Sequence, residues 1–553
     1  MPSLITRVSP VLDGPPQILG DGTVRLRHII VGNDYTPPVY LSCDSSVRKV
    51  YKLDSLPVEL DVIAGRVSIL SGDPGAEPTG QHYYVSTTGS ASNSGSITSP
   101  WTFEHALAGA GGVLRPGDTV WMRGGTYGIT PTIYSNAAGP HGLSTNRIVF
   151  RQYGGDAPYG ERVTINGQWN HKRDYWDLRG VELFNSDPVN NQFSNTIMGT
   201  EGGSAIGART INVISHDAGE TGATGWLNSR GPSLYYGVIC YNNGTIHNKD
   251  HGFYIHDQEK VLDNCIAFNN LARNFQYYDS SRSQKNNICR NCIAWGAAEM
   301  SATATGSTNF LFRVTNSKGI ENLLVEGCVG FHKDASASQS RQLRLGAVGV
   351  LNNKTSVARN NYFWRGRTCI EHSEWENLVF EDNTIVNDAT CSDNLILNAL
   401  PSVSASWERN KWYGIDPTQA KWKYRFRRTF PNWQTGTALG SSDTAFAGPP
   451  PNKVFLFPND FDQTRAHLAI CNHEGLASVP VDLSAVVPMG RPFEIRNVQD
   501  LWGTPVVAQT YYGGTVDVPM AGITAPVPSG PGRVFSQPPV TGPEFNAFLV
   551  KAL

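Results

Sequence analysis

Asp263-Asn-Cys-Ile-Ala-Phe268 is the clearest copy of a six-residue segment that recurs along the middle of the chain. The later copies read Arg290-Asn-Cys-Ile-Ala-Trp295, Glu326-Gly-Cys-Val-Gly-Phe331, Arg359-Asn-Asn-Tyr-Phe-Trp364, Glu381-Asp-Asn-Thr-Ile-Val386 and Glu408-Arg-Asn-Lys-Trp-Tyr413. Their third residues, extended backwards to Val238 and Asn212, lie 22 to 36 residues apart. A coil of three short strands and three turns needs about that many residues, because strands usually have about five to six.

The repeat predicts a β-helix, because each coil buries its inward face only by stacking on its neighbours. Parallel strands lie about 4.8 Å apart, so one slot on successive coils forms a column. The third-residue column then contains Cys265, Cys292, Cys328, Asn361, Asn383 and Asn410. We expect the Asn side-chain amides to hydrogen-bond along the stack and the Cys to be small buried residues.

The flanks of the repeat predict further regions. Within residues 1–78, apolar and polar side chains alternate in Thr23–Val31, Val39–Ser42 and Leu60–Leu70, which indicates a small N-terminal β domain able to dock to a larger particle. The β-helix is expected over 79–415, a linker with a basic-aromatic run over 416–451, and a separate antiparallel, sandwich-like β domain over 452–553. The predicted fold class is therefore all-β.

Composition excludes several function classes. The formal net charge of the 553 residues is −2 and only 17% of them are charged, which argues against a nucleic-acid binder. No segment approaches the roughly 20 apolar residues of a membrane-spanning helix. The start, Met1 to Val8, lacks the basic and apolar regions of a signal peptide, so we expect either a removed leader or release by lysis.

The nine Cys are too few for a dense disulfide scaffold. The pair Cys289 and Cys292 has no second pair at zinc-finger spacing. Most of the Cys are therefore interpreted as reduced and buried. No residues are assigned to a metal.

The segment His82–Tyr127 resembles the opening of pectate-lyase-like right-handed β-helix proteins. The resemblance lies in Tyr84-Val-Ser86, in Pro100 with the helical pattern Trp101–Ala110, in Pro116-Gly-Asp-Thr-Val120 and in Gly124-Gly-Thr-Tyr127. It implies a right-handed parallel β-helix with a polysaccharide as its partner. Such proteins include polysaccharide lyases, glycoside hydrolases and phage tailspikes, so the fold does not fix the reaction. Some of the lyases use calcium, which we leave unassigned here.

A second column is aligned from Gly252-Phe-Tyr-Ile-His-Asp257, Asn274-Phe-Gln-Tyr-Tyr-Asp279, Asn309-Phe-Leu-Phe-Arg-Val314, Gln342-Leu-Arg-Leu-Gly-Ala347 and Cys369-Ile-Glu-His-Ser373. Side chains alternate along a strand, so Phe253, Phe275, Phe310, Leu343 and Ile370 should face inward. The outward set is then Tyr254, His256, Gln276, Tyr278, Leu311, Arg313, Arg344 and Glu371. The pair His216-Asp217 and the segment His251-Gly-Phe-Tyr254 resemble exposed segments of the same family.

Two chemistries fit this outward set. In a lyase, Arg313 and Arg344 neutralise a uronate carboxylate, His256 or His251 acts as the base, and Tyr278 or Tyr254 acts as the acid. In a hydrolase, two carboxylates flank the glycosidic oxygen, and Asp257 and Asp279 are the alternative acid pair. Strict alternation gives these two the inward phase, so capping of the turn that follows is the other interpretation. Asp217 is a further catalytic candidate. Tyr254, Arg344, His216, Gln276 and Glu371 are assigned to substrate binding.

The function predicted from the sequence is binding, and cleavage, of an acidic polysaccharide outside the cell or on a virion. A phage tailspike, homotrimeric and joined to other tail proteins, is one form of this hypothesis. The alternatives are a non-catalytic structural or receptor-binding virion protein and a secreted bacterial lyase whose leader was removed.

Overall fold

The computed structural model describes residues 80–553 apart from 191–194, 200–204, 226–232, 246–248, 257, 281, 301–306, 316–317, 335–339, 523, 534 and 536, together with the backbone of six strands within 17–69. The chain forms two compact units, residues 1–79 with 460–463 and residues 80–459 with 464–553. The first unit has two three-stranded antiparallel sheets, one of Gln17–Ile18, Thr23–Leu26 and Val39–Ser42, the other of Lys49–Lys52, Glu59–Ile63 and Arg66–Ile69. The described strands of the N-terminal region are thus antiparallel β-strands.

The second unit contains a parallel β-helix of three sheets. Sheet 1 has twelve strands: His82–Val85, Thr119–Met122, Ile148–Gln152, Trp176–Arg179, Arg209–Ile211, Ser233–Tyr236, Lys260–Asp263, Ile288–Arg290, Leu323–Glu326, Thr355–Arg359, Asn377–Glu381 and Ser404–Glu408. A separate two-stranded parallel sheet is formed by Gln284–Lys285 and Ile320–Glu321.

Two long strands, Gly125–Ser135 and Val163–His171, begin sheets 2 and 3 together. Sheet 2 continues with Glu182–Phe184, Ile214–His216, Ile239–Tyr241, Ile266–Phe268, Ile293–Trp295, Val329–Phe331, Tyr362–Trp364, Thr384–Val386, Lys411–Tyr413 and Thr444–Phe446. Sheet 3 continues with Asn195–Gly199, Thr221–Gly225, His251–Ile255, Arg273–Asp279, Thr308–Val314, Arg341–Leu345, Thr368–His372, Asp393–Leu397 and Trp422–Tyr424, and it ends with the antiparallel strand Phe426–Arg428.

The recurring segment lies at the corner between sheets 1 and 2. Asn264, Asn291 and Asn360 adopt positive φ there, at 52°, 52° and 56°, and Gly237 takes the same conformation on another coil. Asn and Gly tolerate this left-handed backbone better than other residues, which explains their repeated use at the corner.

The predicted asparagine ladder is confirmed. The Asn361 amide donates to Asn383 Oδ1 at 2.9 Å, Asn383 donates to Asn410 Oδ1 at 2.9 Å, and Asn410 donates to the carboxylate of Asp443 at 3.1 Å. The backward extension of the column was wrong by one residue. Ile211 pairs with Tyr236, so Asn212 lies opposite Gly237 and Val213 occupies the ladder slot.

The eight described cysteines are all buried and form no disulfide, as predicted. Cys265, Cys292 and Cys328 lie in the interior column with fully buried side chains. Burial raises the pKa of the Cys328 thiol well above its usual range, so it stays a neutral thiol. Cys43 lies outside the described residues.

Stacked aromatic side chains fill the interior. Phe253 stacks on Phe275 at 4.9 Å between ring centroids, and Phe275 stacks on Phe310 at 5.1 Å. The predicted N-terminal helix forms over Phe103–Leu107 only, with Thr102 as its N-cap, and a 3₁₀ turn follows at Ala110–Gly112. Phe103 packs on the first coils and closes that end of the core.

The linker predicted over 416–451 is wrong. Trp422–Tyr424 pairs in parallel with Asp393–Leu397, and Thr444–Phe446 pairs with Lys411–Tyr413, so the β-helix runs past residue 415. The α-helix Phe430–Thr437 lies between these strands. Its buried Phe430 and Trp433 join the same apolar core as Trp422, which is why the basic-aromatic run is folded rather than a free loop.

The C-terminal region forms a five-stranded antiparallel sheet of Lys453–Asn459, Asp462–Cys471, Phe545–Ala552, Pro492–Asn497 and Val507–Thr510, in that spatial order. A two-stranded antiparallel sheet, Ser478–Asp482 with Thr515–Pro519, packs on one face, and a 3₁₀ turn spans Val498–Asp500. The other face packs against sheet 2 through Cys471, Phe545 and Leu549. The antiparallel architecture is as predicted, but this region shares a compact unit with the β-helix.

Candidate functional site

The outer face of sheet 3 brings most of the predicted site residues together. In register, Tyr254 lies beside Gln276, Gln276 beside Leu311, Leu311 beside Arg344, and Arg344 beside Glu371. Their neighbours Phe253, Phe275, Phe310, Leu343 and Ile370 are fully buried inward, as predicted. We define the sheet 3 strip as His251, Tyr254, His256, Arg273, Gln276, Tyr278, Arg313, Arg341, Arg344 and Glu371.

A second amide ladder breaks the alternation at the start of these strands. The Asn274 amide donates to Asn309 Oδ1 at 2.8 Å, and Asn309 donates to Gln342 Oε1 at 2.8 Å, all inside the corner between sheets 2 and 3. Because both the ladder residue and the following Phe or Leu point inward, the residue before the ladder stays on the outside. This places Arg273 and Arg341 on the strip.

The first coils of the strip carry aromatic and imidazole rings. The Tyr254 ring centroid lies 4.2 Å from that of His256, 4.9 Å from that of His251 and 6.1 Å from that of Tyr278. Burial, reinforced by Tyr278 and Asp279, raises the pKa of Tyr254 well above its usual range. Tyr254 therefore keeps its proton near neutral pH. The Tyr278 hydroxyl is 3.0 Å from the hydroxyl of Thr315.

The middle coils carry guanidinium groups. Burial and the neighbouring charges of Arg313 and Arg344 lower the pKa of Arg273 to about 10. Arg313 lies over the Tyr278 ring at 5.7 Å from its centroid. Burial lowers the pKa of Arg344 as well, with Glu371 opposing and Arg313 adding to this effect. These guanidinium groups are close enough to destabilise one another's charge.

Glu371 connects two of these arginines. Its carboxylate is 2.6 Å from Arg341 Nε and 3.2 Å from an Arg344 Nη. Among the buried polar atoms of the strip, Arg344 Nε and Gln276 Oε1 have no hydrogen-bond partner within the described residues. A ligand with both acceptors and hydroxyl donors would satisfy them.

The two strip histidines differ in their surroundings. Burial and the charge of Arg273 hold the pKa of His251 well below its usual range, so its imidazole is neutral at pH 7. The backbone N–H of Arg273 donates to His251 Nδ1 at 3.3 Å. His256 Nδ1 lies 3.9 Å from the Asp279 carboxylate, which is beyond hydrogen-bond distance but close enough for the two groups to attract when the imidazole is charged.

The alternative acid pair is not supported as a catalytic pair. Asp279 is buried, and its carboxylate accepts the N–H of Arg282 at 2.8 Å, which closes the turn after the strand. Asp257 lies outside the described residues.

His216 and Asp217 lie elsewhere, at the end of a sheet 2 strand. His216 is held between the carboxylates of Glu182, at 3.0 Å, and Asp217, at 2.8 Å. Asp217 also accepts the N–H of Ser529 at 2.8 Å and pairs with Arg533 at 2.7 Å. The structure therefore places this pair away from the strip, under the C-terminal segment, and does not support its predicted catalytic and binding roles.

The sequence reasoning missed Arg273 and Arg341. Both occupy the slot of His251 on later coils, one residue before the aligned segments. Extending the alignment by that residue would have found them. Arg533 carried no such signal, because its partner Asp217 lies more than 300 residues earlier.

Among the described residues, no group of three or more His, Cys, Asp or Glu side chains is arranged to hold a metal ion. Calcium stays unassigned, because its sites also use amide and backbone carbonyl oxygens. In the same part of the chain, no helix is both long and apolar enough to cross a membrane.

Comparison with known proteins identifies the helix. A family model described as Pel9A-like, right handed beta helix region, matches residues 83–368, more than half of the chain. This agrees with the resemblance seen in the sequence and gives the handedness of the coils. A search of the curated proteins finds no match.

Three solved structures of low identity are similar to this chain over part of its length. The pectate lyase Pel9A has 17% identity over 60% of this chain and 74% of its own, with a TM-score of 0.35. A GH136 lacto-N-biosidase from Eubacterium ramulus has 10% identity over 60% and 68%, with a TM-score of 0.31. The tailspike gp49 of Acinetobacter baumannii bacteriophage Fri1, a capsular polysaccharide depolymerase, has 12% identity over 74% and 79%, with a TM-score of 0.27.

Proposed function

The chain belongs to the Pel9A-like right-handed β-helix family, and on that premise we propose that its sheet 3 strip binds an acidic polysaccharide and cleaves it by β-elimination. The observation that carries the proposal is the cluster of Arg273, Arg313 and Arg344 on three adjacent coils, where burial and the charges of the other two lower the pKa of Arg273. A half-buried group of like charges is stabilised by a bound anion. A uronate carboxylate fits the planar fork of a guanidinium group.

The arginines also serve the reaction. In β-elimination from a uronate, the proton on the carbon next to the carboxylate is removed first. The electron pair of that C–H bond then forms the carbon–carbon double bond. At the same time the bond between the next carbon and the glycosidic oxygen breaks. Guanidinium groups on the carboxylate stabilise the negative charge that develops there.

We assign the base to His256 and the acid to Tyr254. His256 has the Asp279 carboxylate 3.9 Å away, which stabilises the imidazolium formed when the proton is accepted. Tyr254 retains its proton because its pKa is raised, and it can give that proton to the leaving oxygen. Tyr278 is a weaker candidate for the acid, because its hydroxyl is already bonded to Thr315. His251 is a weaker candidate for the base, because its Nδ1 already accepts a hydrogen bond from the backbone N–H of Arg273.

Hydrolysis is less well supported. It needs two carboxylates flanking the scissile bond. In the described part of the strip, Glu371 is bonded to two arginines and Asp279 closes a turn.

The test is a panel of acidic and neutral polysaccharides incubated with the protein. A lyase produces unsaturated ends that absorb in the ultraviolet, in step with new chain ends. New reducing ends without that absorbance would make the protein a hydrolase. Tight binding with neither product would overturn the enzymatic proposal and leave a receptor-binding or structural protein.

A place on a phage virion is a second proposal. Residues 1–79 form most of a compact unit of their own, which suits attachment to a particle and to other tail proteins. A trimeric mass of the native protein in solution would support a tailspike, and a monomer would count against it and in favour of a secreted lyase.

A further inference from the structure

The sheet 3 face continues past the strip to a basic hairpin near the C-terminal end of the β-helix. In register, Glu371 is followed by Ile396 and then by Lys423. The strand Trp422–Tyr424 then turns back at Arg425 into Phe426–Arg428, which pairs Lys423 with Arg427. Lys423 thus stands in the same outward column as Tyr254 and Arg344.

The hairpin is fixed by its inward residues. Trp422 and Tyr424 are buried in the core, which leaves Lys423 between them on the outside. Arg425 is exposed at positive φ, 61°, and its guanidinium lies over the Tyr424 ring at 5.3 Å. We define the hairpin patch as Lys423, Arg425 and Arg427.

The charge of the hairpin patch is only partly balanced. Arg427 forms an ion pair with Asp393 at 2.6 Å. In the part of the chain that the structure describes, neither Lys423 nor Arg425 forms an ion pair, so the hairpin presents positive charge to solvent beside a neutralised Asp393.

The surface between the strip and the hairpin patch does not repel an anion. Glu371 is already bonded to Arg341 and Arg344, and Ile396 presents a half-buried apolar side chain on which a sugar ring can pack. Lys423 lies three strands beyond Arg344, a separation of about 14 Å along the helix axis at about 4.8 Å per strand. A polymer that carries a carboxylate on every sugar can reach both basic groups at once.

We infer that the hairpin patch is a second anion-binding subsite, which holds the acidic polysaccharide while the strip acts on it about three coils away. The inference rests on the proposed function for the identity of the ligand. Joining two weak sites on one chain raises the affinity for a long ligand without changing the affinity for a short one.

The experiment compares the double variant Lys423→Gln/Arg425→Asn with the unaltered protein. Asn is chosen at 425 because it tolerates positive φ. The control is Lys411→Gln/Arg491→Gln, which removes two exposed positive charges away from sheet 3. Binding is measured at low salt with polygalacturonate and alginate as polymers and with digalacturonate as the short ligand.

We expect the double variant to lose about tenfold in affinity for a polymer, equivalent to about 1.4 kcal/mol, and to keep its affinity for digalacturonate. The control should change neither. Equal polymer affinity in the double variant and the control would overturn the inference, as would an equal loss for digalacturonate. Tighter binding of single-stranded DNA than of either polymer, lost in the double variant, would make the patch a nucleic-acid site and overturn it too.

The same measurements separate the two proposals. Polymer binding by the unaltered protein without cleavage, lost in the double variant, would leave the subsite standing and remove the lyase. Cleavage that does not depend on the hairpin patch would leave the lyase standing and remove the subsite. No binding of either polyuronate by the unaltered protein would overturn both.

Discussion

The outer faces of sheets 2 and 3 are built from similar residues but have different surroundings. On sheet 2 a column of rings runs through Phe184, His216, Tyr241, Phe268 and Trp295, with centroids 4.3 to 5.8 Å apart. On sheet 3 the rings of His251, Tyr254, His256 and Tyr278 lie close together in the same way. Ring stacking alone therefore does not distinguish a core from a site.

The two faces differ in whether another part of the chain covers them and in whether their charged groups are paired. The C-terminal sheet packs on the sheet 2 column, and the charged groups there are matched, since Glu182 pairs with both Arg162 and His216. On sheet 3 the guanidinium groups of Arg273, Arg313 and Arg344 act on one another. A covered, balanced face stabilises the fold, whereas a half-exposed face with clustered like charges is suited to an anionic ligand.

The largest expected effect is on the covered face. Trp295 is buried against Phe268 and Phe545, so Trp295→Ala should lower the free energy of unfolding by about 3–5 kcal/mol. Phe446→Ala is the matched control, because Phe446 ends the same column in an exposed position and should cost little. Denaturant unfolding measures both, and equal losses would show that the C-terminal sheet does not protect this column.

The exposed face should give the opposite result. Arg313→Gln and His256→Gln should each reduce kcat/KM about 100-fold, or about 2.7 kcal/mol of transition-state stabilisation. Arg313 is half-exposed and contacts a ring face, so the melting temperature of that variant should hardly change. His216→Gln on sheet 2 is the control, since it should lower stability and leave kcat/KM within a few-fold. Full activity in both strip variants would remove the strip from the mechanism.

The sequence predicted the coils well because their signal is local. A corner that needs positive φ selects Asn or Gly, and an interior column selects small or amide side chains, so both recur at each coil. The inward and outward sets of sheet 3 followed from alternation. Arg273 was missed because the Asn274 ladder interrupts that alternation, and a ladder hydrogen bond between strands is not visible in one strand.

The role of His216 and Asp217 could not be predicted from local pattern. Their pairing motif is the same whether the face is covered or open. The cover is supplied by Ser529 and Arg533, more than 300 residues later, and nothing near His216 marks that contact. Long-range packing therefore determines whether a pair such as His216 and Asp217 is covered or open to solvent.

The smallest expected effect is a dependence of stability on pH at this pair. Burial lowers the pKa of His216, but hydrogen bonds to Asp217 and Glu182 outweigh burial and raise it to about 9. An unfolded histidine titrates near about 6.5. A raised folded pKa means that the stabilisation is fully present below about pH 6.5 and is lost as the pH rises through about 9.

The melting temperature should therefore fall by a few degrees between about pH 6.5 and 9, and His216→Gln should flatten that fall. His141→Gln is the control, because His141 also pairs with an aspartate, Asp174 at 3.0 Å, but is nearly half-exposed, where such pairs contribute little. Since Glu182 has its pKa lowered to about 2, its own stabilisation holds above about pH 4 and does not contribute to the alkaline fall. An unchanged alkaline fall in His216→Gln would mean that the C-terminal cover does not depend on the charged histidine, and that apolar packing on sheet 2 alone closes this face.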